Sequence, residues 1–298
     1  MDIVTAPLVP AYHLSCLEIT ELLNRLPEGL GTPFVVYNDD DSRMREHLES
    51  LERGGQLRAV YVPLQVGKAE AVRQGLQMLL DMSAADVIVQ VDGHLKQPPE
   101  EVPELVCHLV ETGLQMVVTN RYGFQNLRGQ THRSTISGLL SDIVEQLTGY
   151  KLHDVVCGTR AYVRSLAQQF LHVRSFGYGL EVEEVLIAAS EGLSVGECPT
   201  RSNLQASATN AEKIEDNLFA LINYANETRM PDNTRAMLCF MLTRVKQRTS
   251  FDVDTAVFGT SGVVRFEYIG DGGSIANGYA SGTAADGYSL FQASQGQT

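Results

Sequence analysis

The chain has 298 residues, 44% of them hydrophobic and 20% charged, with a formal net charge of −13; these values suit a globular protein holding one large α/β domain, or one domain plus an appendage. The acidic balance argues against nucleic acid as a partner, because phosphate backbones demand a basic face. Cys16, Cys107, Cys157, Cys198 and Cys239 are scattered without a C-x-x-C pair. With no ~20-residue apolar run and no basic-then-apolar start, they point to reduced thiols in a cytoplasmic chain rather than a disulfide framework, a zinc site, a membrane span or a signal peptide.

Ile3 to Tyr12 reads as a first strand, and Ser15 to Leu26 shows helical spacing through Leu17, Leu22, Leu23 and Leu26. Phe34 to Tyr37 is a second strand that runs straight into Asn38-Asp39-Asp40-Asp41-Ser42. Three adjacent carboxylates repel one another, so the cluster needs solvent, a cation or hydrogen-bond donors. Ser42 is expected to cap a helix over Arg43 to Leu51, but a cap needs one such residue, so at least one aspartate is a ligand candidate. Ala59 to Leu64 is a third strand. Gly67-Lys68-Ala69 then opens an amphipathic helix to Met82, where Lys68 is either a phosphate partner or part of a solvated helix start.

Asp86 to Val91 has the β-branched composition of a strand buried on both faces, and it stops at Asp92-Gly93-His94. Pro98-Pro99-Glu100 starts the next helix, which continues through Val102 to Leu109. A carboxylate and an imidazole one residue apart, at the carboxyl end of a parallel strand, lie where open α/β sheets bind ligands and read as a metal-diphosphate site. Gln115 to Asn120 is a fifth strand ending at Arg121. The β-α alternation predicts a mostly parallel sheet with helices on both faces. Asp39 to Asp41, Gly67-Lys68, Asp92 to His94 and Arg121 all fall just after strands, and so converge on one sheet edge.

Thr131 to Tyr150 reads as a helix. His153-Asp154 to Tyr162 compresses acid, glycine and arginine into one turn, and Gly177-Tyr178-Gly179 precedes a helix over Val185 to Glu191. Of Glu181, Glu183 and Glu184, two are expected to be a solvated, dipole-stabilised helix start. Leu193 to Pro199 is a last strand of this region, and Ala211 to about Arg248 is helical. Beyond about Ser250 the composition turns to Gly, Ala, Ser and Asp, with Val263 to Ile269 the one convincing strand. The expected layout is therefore a catalytic domain over 1–210, helices packed on it over 211–249, and an appendage over 250–298 with one or two edge strands and a loosely ordered tail. That tail is a candidate oligomerisation strand or acceptor lid.

Pro10-Ala11-Tyr12, Asp39 to Ser42, Gly67-Lys68-Ala69, Asp92-Gly93-His94 with Pro98-Pro99-Glu100, Arg121, Asp154…Gly158-Thr159-Arg160 and Gly177-Tyr178…Glu183 follow one another in an order that resembles family 2 glycosyltransferases, above all the dolichyl- or polyprenyl-phosphate mannosyltransferase type. The resemblance covers about residues 3 to 201. It implies the nucleotide-sugar-binding α/β fold of the GT-A kind, inversion at the anomeric carbon, a UDP- or GDP-linked donor, and a divalent cation, Mn²⁺ or Mg²⁺. It likens Asp92 and His94 to the metal-binding D-x-D motif. Pro10, Tyr12, Asp39, Asp40, Lys68 and Arg121 fall on the donor side, with Asp40 likened to the aspartate that reads base and ribose. Arg121 and Arg160 look like basic groups near the diphosphate or acceptor phosphate. Asp154, Glu183 and Arg160 are the candidates for the chemistry, and Glu197-Cys198-Pro199 resembles the strand that closes the catalytic region.

The usual D-A-D-L-Q reads D-G-H-L-K, with Lys96 at the last position, and the usual N-E after P-x-Y is His13-Leu14. Imidazole binds Mn²⁺ and other borderline cations, whereas Mg²⁺ prefers oxygen. A lipid-phosphate acceptor needs only cations to place it, and a hydroxyl acceptor needs Asp154 or Glu183 as base; the residues leave both open. A lipid acceptor would be met by peripheral contact with a membrane. The rival readings are a regulatory sugar-nucleotide-binding protein with a degenerate metal motif, and a nucleotidyltransferase, whose usual glycine-rich basic first loop is here Pro7 to Ser15, PLVPAYHLS.

Overall fold

The computed structural model describes residues 3–62, 66–95, 97–121, 135–201, 209–254, 257, 263–269 and 274–281. Seven strands make one sheet: β1 (Thr5–Ala11), β2 (Phe34–Tyr37), β3 (Arg58–Tyr61), β4 (Val87–Gln90), β5 (Met116–Asn120), β6 (Arg160–Val163) and β7 (Val195–Pro199). Their order is β3-β2-β1-β4-β6-β5-β7. β1 pairs in parallel with β2 and β4, β2 with β3, and β5 with β7. β6 alone runs antiparallel, wedged between β4 and β5.

β2 and β4 are buried at every position, the expected state of short apolar strands covered on both faces. Successive residues alternate between two cores. Leu8, Val36 and Ile88 face Leu76, Ile143, Val185, Leu218 and Val245. These belong to α3 (Gly67–Met82), α5 (Thr135–Thr148), α7 (Leu180–Ser190), α8 (Ala211–Glu227) and α9 (Asp232–Lys246). Val9, Val35 and Val89 face Ile19, Met44 and Leu105, on α1 (Cys16–Arg25), α2 (Ser42–Arg53) and α4 (Val102–Thr112). The two-residue period of the strands thus sorts the helices onto opposite faces. A short helix, α6 (Arg164–Gln169), follows β6.

Local chemistry fixes the helix starts. Ser15 and Glu18 form a reciprocal capping box on α1. The cap of α2 is Asp41, whose Oδ1 accepts the Arg43 amide at 2.9 Å, and Ser42 is already helical; this corrects the expectation that Ser42 caps, and it occupies one aspartate of the triplet. α4 ends at Gly113 with φ +69, a left-handed stop that glycine takes without strain.

Two features depart from the sequence reading. The stretch ending at Tyr162 is not a single turn, because Arg160 to Val163 becomes a central strand; its four-residue length and flanking glycine hide it from pattern reading. The C-terminal region holds four strands: β8 (Thr209–Asn210), β9 (Phe251–Asp254), β10 (Val263–Ile269) and β11 (Ser274–Ser281), ordered β8-β11-β10-β9 and antiparallel throughout. β11 reads SIANGYAS, a composition with weak strand preference that is held by its pairing to β10. Phe251, Val253 and Phe266 join the larger core, with the rings of Phe251 and Phe266 stacked at 4.8 Å. The expected tail beyond residue 281 lies outside the described residues. Among the described residues, no helix is long and apolar enough to cross a membrane.

Candidate active site

Strand order reverses between β1 and β4, and a crevice opens outside the carboxyl ends of strands at such a point. There a cleft of about 220 Å³ is lined by Pro10 and Tyr12 from β1, Asp92 and His94 after β4, Lys68 from α3, Arg121 after β5, and Glu181, Lys213 and Asn217 from α7 and α8. Pro10, Tyr12, Lys68, Asp92, His94 and Arg121, all singled out from sequence, therefore line one cleft.

The Asp92 turn is tightly built. The Asp92 amide donates to Thr159 Oγ1 at 3.1 Å, and Asp92 Oδ1 accepts the His94 amide at 3.1 Å. A Cβ on Gly93 would stand 2.7 Å from both Pro10 O and Leu14 Cδ1. A side chain here would force the Pro10 carbonyl or Leu14 to shift, which gives a physical reason for glycine at the middle position of D-G-H. His94 is exposed, and Lys96 lies outside the described residues.

Lys68 crosses to the opposite wall, where its ammonium donates to Glu181. Burial works against its charge, but Glu181 and then Asp92 outweigh that and raise its pKa above the usual lysine value. Gly158 lies beside both groups: a Cβ there would stand 3.4 Å from Lys68 Nζ and 3.7 Å from Asp92 Oδ2, at ordinary contact distance. Gly67 has φ +75, and a Cβ on it would collide with the Phe176 carbonyl, which accepts the Ala69 amide at 3.1 Å. Gly67→Ala is expected to cost about 1–3 kcal/mol in backbone strain alone. It should also separate Lys68 from the 176–178 turn, so a thermal melt and a nucleotide titration should both record the loss.

Arg121 grips Asp154 with a fork: Nε to Oδ2 and Nη2 to Oδ1, both 2.7 Å, with its amide 3.1 Å from Oδ2. Asp154 is fully buried, so it holds Arg121 at the cleft wall instead of facing the cleft itself. Glu197 steadies the same turn, accepting the Asp154 amide at 2.9 Å, His153 Nδ1 at 2.7 Å and Asn120 Nδ2 at 3.2 Å.

Asp39 and Asp40 do not line the cleft. Asp39 Oδ2 lies 2.9 Å from His13 Nδ1, so the histidine standing where the resembled family has an asparagine locks the ends of β1 and β2 together. Burial pushes the Asp39 carboxyl up, but the Asp40 amide and the His13 ring overcome this and hold it below the ordinary aspartate value. Asp40 is exposed.

Two chemical candidates stand elsewhere. Arg160 is completely buried on β6, and its guanidinium bonds Glu184 Oε2 at 3.0 Å, Glu181 O at 2.8 Å and Val155 O at 3.2 Å. This corrects the expectation that it faces phosphates: its strand passes through the sheet, so its side chain points into the core. Glu183 accepts the amides of Arg174 at 2.7 Å and Ser175 at 2.8 Å, which ties down the turn before α7 away from the cleft. Reading two of the three glutamates as a solvated helix start also fails, because Glu181 and Glu184 are buried. The alternation of α7 with valines and leucines on every side carried that signal. Lys213 and Asn217 were missed because nothing local marks α8 as a cleft wall, and Tyr178, which stands in the Gly177-Tyr178 motif, was given no role at the cleft.

Among the described residues, no group of three or more His, Cys, Asp or Glu side chains draws together as a metal cage. Asp92 with His94 supplies two donors beside a polar cleft, which suits a cation that completes its shell from ligand phosphates and water.

The sequence model of glycosyl transferase family 2 matches residues 17–171. The undecaprenyl-phosphate 4-deoxy-4-formamido-L-arabinose transferase of Pseudomonas paraeruginosa is 32% identical over 182 residues, covering 58% of this chain and 51% of its own length. That of an Enterobacter species is 30% identical over 172 residues, covering 55% and 50%. The chain thus spans about half the length of these curated relatives. Among solved structures, mannosyl-3-phosphoglycerate synthase of Rubrobacter xylanophilus has a TM-score of 0.57 at 11% identity, covering 93% of this chain and 85% of its own. Glucosyl-3-phosphoglycerate synthase of Mycobacterium tuberculosis, crystallised with Mn²⁺, UDP-glucose and phosphoglyceric acid, has a TM-score of 0.55 at 17% identity, covering 77% and 81%. The structural neighbours share the fold, GT-A, and on the extent of the family match the chain belongs to glycosyl transferase family 2.

Proposed function

We propose that the chain is an inverting glycosyltransferase that moves a sugar from a UDP- or GDP-linked donor onto a phosphate, with a polyprenyl phosphate as the acceptor class. The observation that carries this reading is the pairing of charges around the cleft. Among the described residues, the carboxylates lining it are Asp92 and Glu181; Glu181 takes the Lys68 ammonium and Asp92 takes the His94 amide. Of the two base candidates, Asp154 is closed by Arg121, and Glu183 accepts the amides of Arg174 and Ser175 away from the cleft. Lys68, Arg121 and Lys213 line the same cleft. A wall with engaged acids and several cations suits a nucleophile that arrives already ionised and needs placement rather than deprotonation.

In this reading a phosphate oxygen of the acceptor attacks the anomeric carbon with its lone pair. The bond from that carbon to the donor's diphosphate breaks on the opposite face, and the electron pair leaves with the nucleoside diphosphate. Lys68 and Arg121 stabilise the charge that develops there. A divalent cation at Asp92 and His94 would supply further charge neutralisation on the two phosphates. The relatives' undecaprenyl-phosphate chemistry supports the acceptor class. The five free cysteines accord with a cytoplasmic chain that meets its acceptor at a membrane surface.

The test presents labelled UDP-glucose, UDP-N-acetylglucosamine and GDP-mannose with Mn²⁺ to the protein, together with polyprenyl phosphate or unphosphorylated polyprenol in detergent micelles. Label should enter the lipid phase with the phosphate and not with the alcohol. Equal transfer to the alcohol would overturn the anionic-acceptor reading, and nucleotide binding without transfer or hydrolysis would favour a non-catalytic binding protein.

A further inference from the structure

Among the described residues, seven buried side-chain nitrogen and oxygen atoms have no hydrogen-bond partner. Two of the seven belong to residues lining the cleft, Gln90 Oε1 and Asn217 Oδ1. Both are carbonyl oxygens, which only accept hydrogen bonds. Asn217 is 5% exposed and Gln90 1%, so water cannot freely satisfy either, and a buried acceptor left open disfavours the folded state.

The Asn217 amide has a fixed orientation. Its Nδ2 donates to Lys213 O at 2.6 Å, and a flipped amide would set oxygen against oxygen. The same face of α8 builds the surrounding wall. Asp216 Oδ2 accepts the Tyr178 amide at 2.8 Å, and Lys213 Nζ stands 4.7 Å from the centre of the Tyr178 ring. Positions 216 and 217 both lie about one helical turn beyond 213, so α8 both clamps the Gly177-Tyr178-Gly179 turn and brings Asn217 to the cleft. This wall lies outside the residues matched by the family model, 17–171.

We propose that Asn217 is a specificity-determining residue whose Oδ1 accepts a hydrogen bond from a hydroxyl or N–H group on a sugar in the cleft. The inference rests on the glycosyltransferase reading. Phosphates at this pH offer acceptor oxygens and no donor to match an open carbonyl, whereas a sugar ring carries several hydroxyl donors. The two open oxygens, on β4 and α8, suit a ligand that presents hydroxyls in more than one direction. The sugar is that of the donor, since a polyprenyl phosphate acceptor carries none.

The experiment compares the unsubstituted chain with Asn217→Ala and Asn217→Leu. Calorimetry with Mn²⁺ titrates UDP, UDP-glucose, UDP-N-acetylglucosamine, GDP and GDP-mannose, and melting curves are taken without ligand. The expected result is unchanged affinity for the bare nucleotide, an affinity for its sugar conjugate reduced about tenfold, the scale of one lost neutral hydrogen bond, and a Tm that does not fall. A fall in Tm with parallel losses for UDP and UDP-sugar would assign Asn217 a structural role and overturn the proposal, as would unchanged affinity for every sugar conjugate. Absence of any nucleotide binding by the unsubstituted chain would remove the donor-site reading and this inference with it; normal nucleotide binding with no effect at Asn217 would remove only the inference.

Discussion

Asp92→Asn is expected to lower sugar transfer about a thousandfold, the scale seen when one group that stabilises transition-state charge is removed, and to abolish Mn²⁺-dependent nucleotide binding. The substitution keeps the size of the side chain and its hydrogen bond to the His94 amide, so stability should change little. What disappears is the negative charge beside Lys68, which lies across the missing Gly158 side chain from Asp92. A cation shared between Asp92 and a diphosphate loses its anionic protein ligand, and amide oxygen is a weak replacement. Isothermal titration of UDP and GDP with Mn²⁺ or EDTA reads the effect on binding, and a lipid-phase transfer assay reads the effect on rate. Were the unsubstituted chain to bind nucleotide equally well in EDTA, and Asp92→Asn to keep most of its activity, the diphosphate would be held by Lys68 and Arg121 without metal. Lys68→Ala would then become the more damaging change.

The fold was legible because strand and helix periods alternate cleanly through Asn120, and because each polar cluster follows a strand. Asp92, Lys68 and Arg121 could be placed on one edge from that alternation alone. What could not be read were the roles that depend on partners distant in sequence. Nothing around Asp154 announces that Arg121, 33 positions away, closes its carboxylate. Nothing around Glu183 shows that its acceptors are spent on the amides of Arg174 and Ser175. Arg160 followed an acid and a glycine and read as a site residue, when its strand carries it through the middle of the sheet. Glu181 and Asn217 sit on helices whose other faces are core, and only the packing of α7 and α8 turns these two positions toward the cleft. In the C-terminal sheet β10 was legible as Val263 to Ile269 but β11 was not, because it is assembled from small residues that gain strand conformation through pairing, not through intrinsic preference.

Arg160→Met is expected to destabilise the protein by about 3–5 kcal/mol, because it leaves the buried carboxylate of Glu184 without its cation. Both side chains are 0% exposed and meet at 3.0 Å. The guanidinium also draws together the carbonyls of Val155, Cys157 and Glu181, so removing it unpins the 155–157 turn from the start of α7. Glu184→Gln should be milder, about 1–2 kcal/mol, since Arg160 keeps its three carbonyl acceptors. A double change to methionine and leucine should recover much of the loss, as well-packed apolar pairs do in place of buried ion pairs. Burial pushes the Glu184 carboxyl up from 4.5 to about 7, with Arg160 pulling the other way. The folded chain therefore holds this proton more tightly than the unfolded one, and the contribution of Glu184 to stability is lost as pH rises from 4.5 to about 7. Glu184→Gln should remove that slope, whereas Arg160→Met should extend it to higher pH. Urea midpoints at pH 5 and pH 8 for the three variants measure both effects, and equal midpoints for Arg160→Met and the unsubstituted chain would sink the account. Val156, Gly158 and Glu181 line the cleft, and Arg160 binds the backbone on both sides of it. Nucleotide affinity should therefore fall with Arg160→Met even though its side chain faces the core, and it should stay low in the double variant, which restores packing without restoring the tie between the two walls.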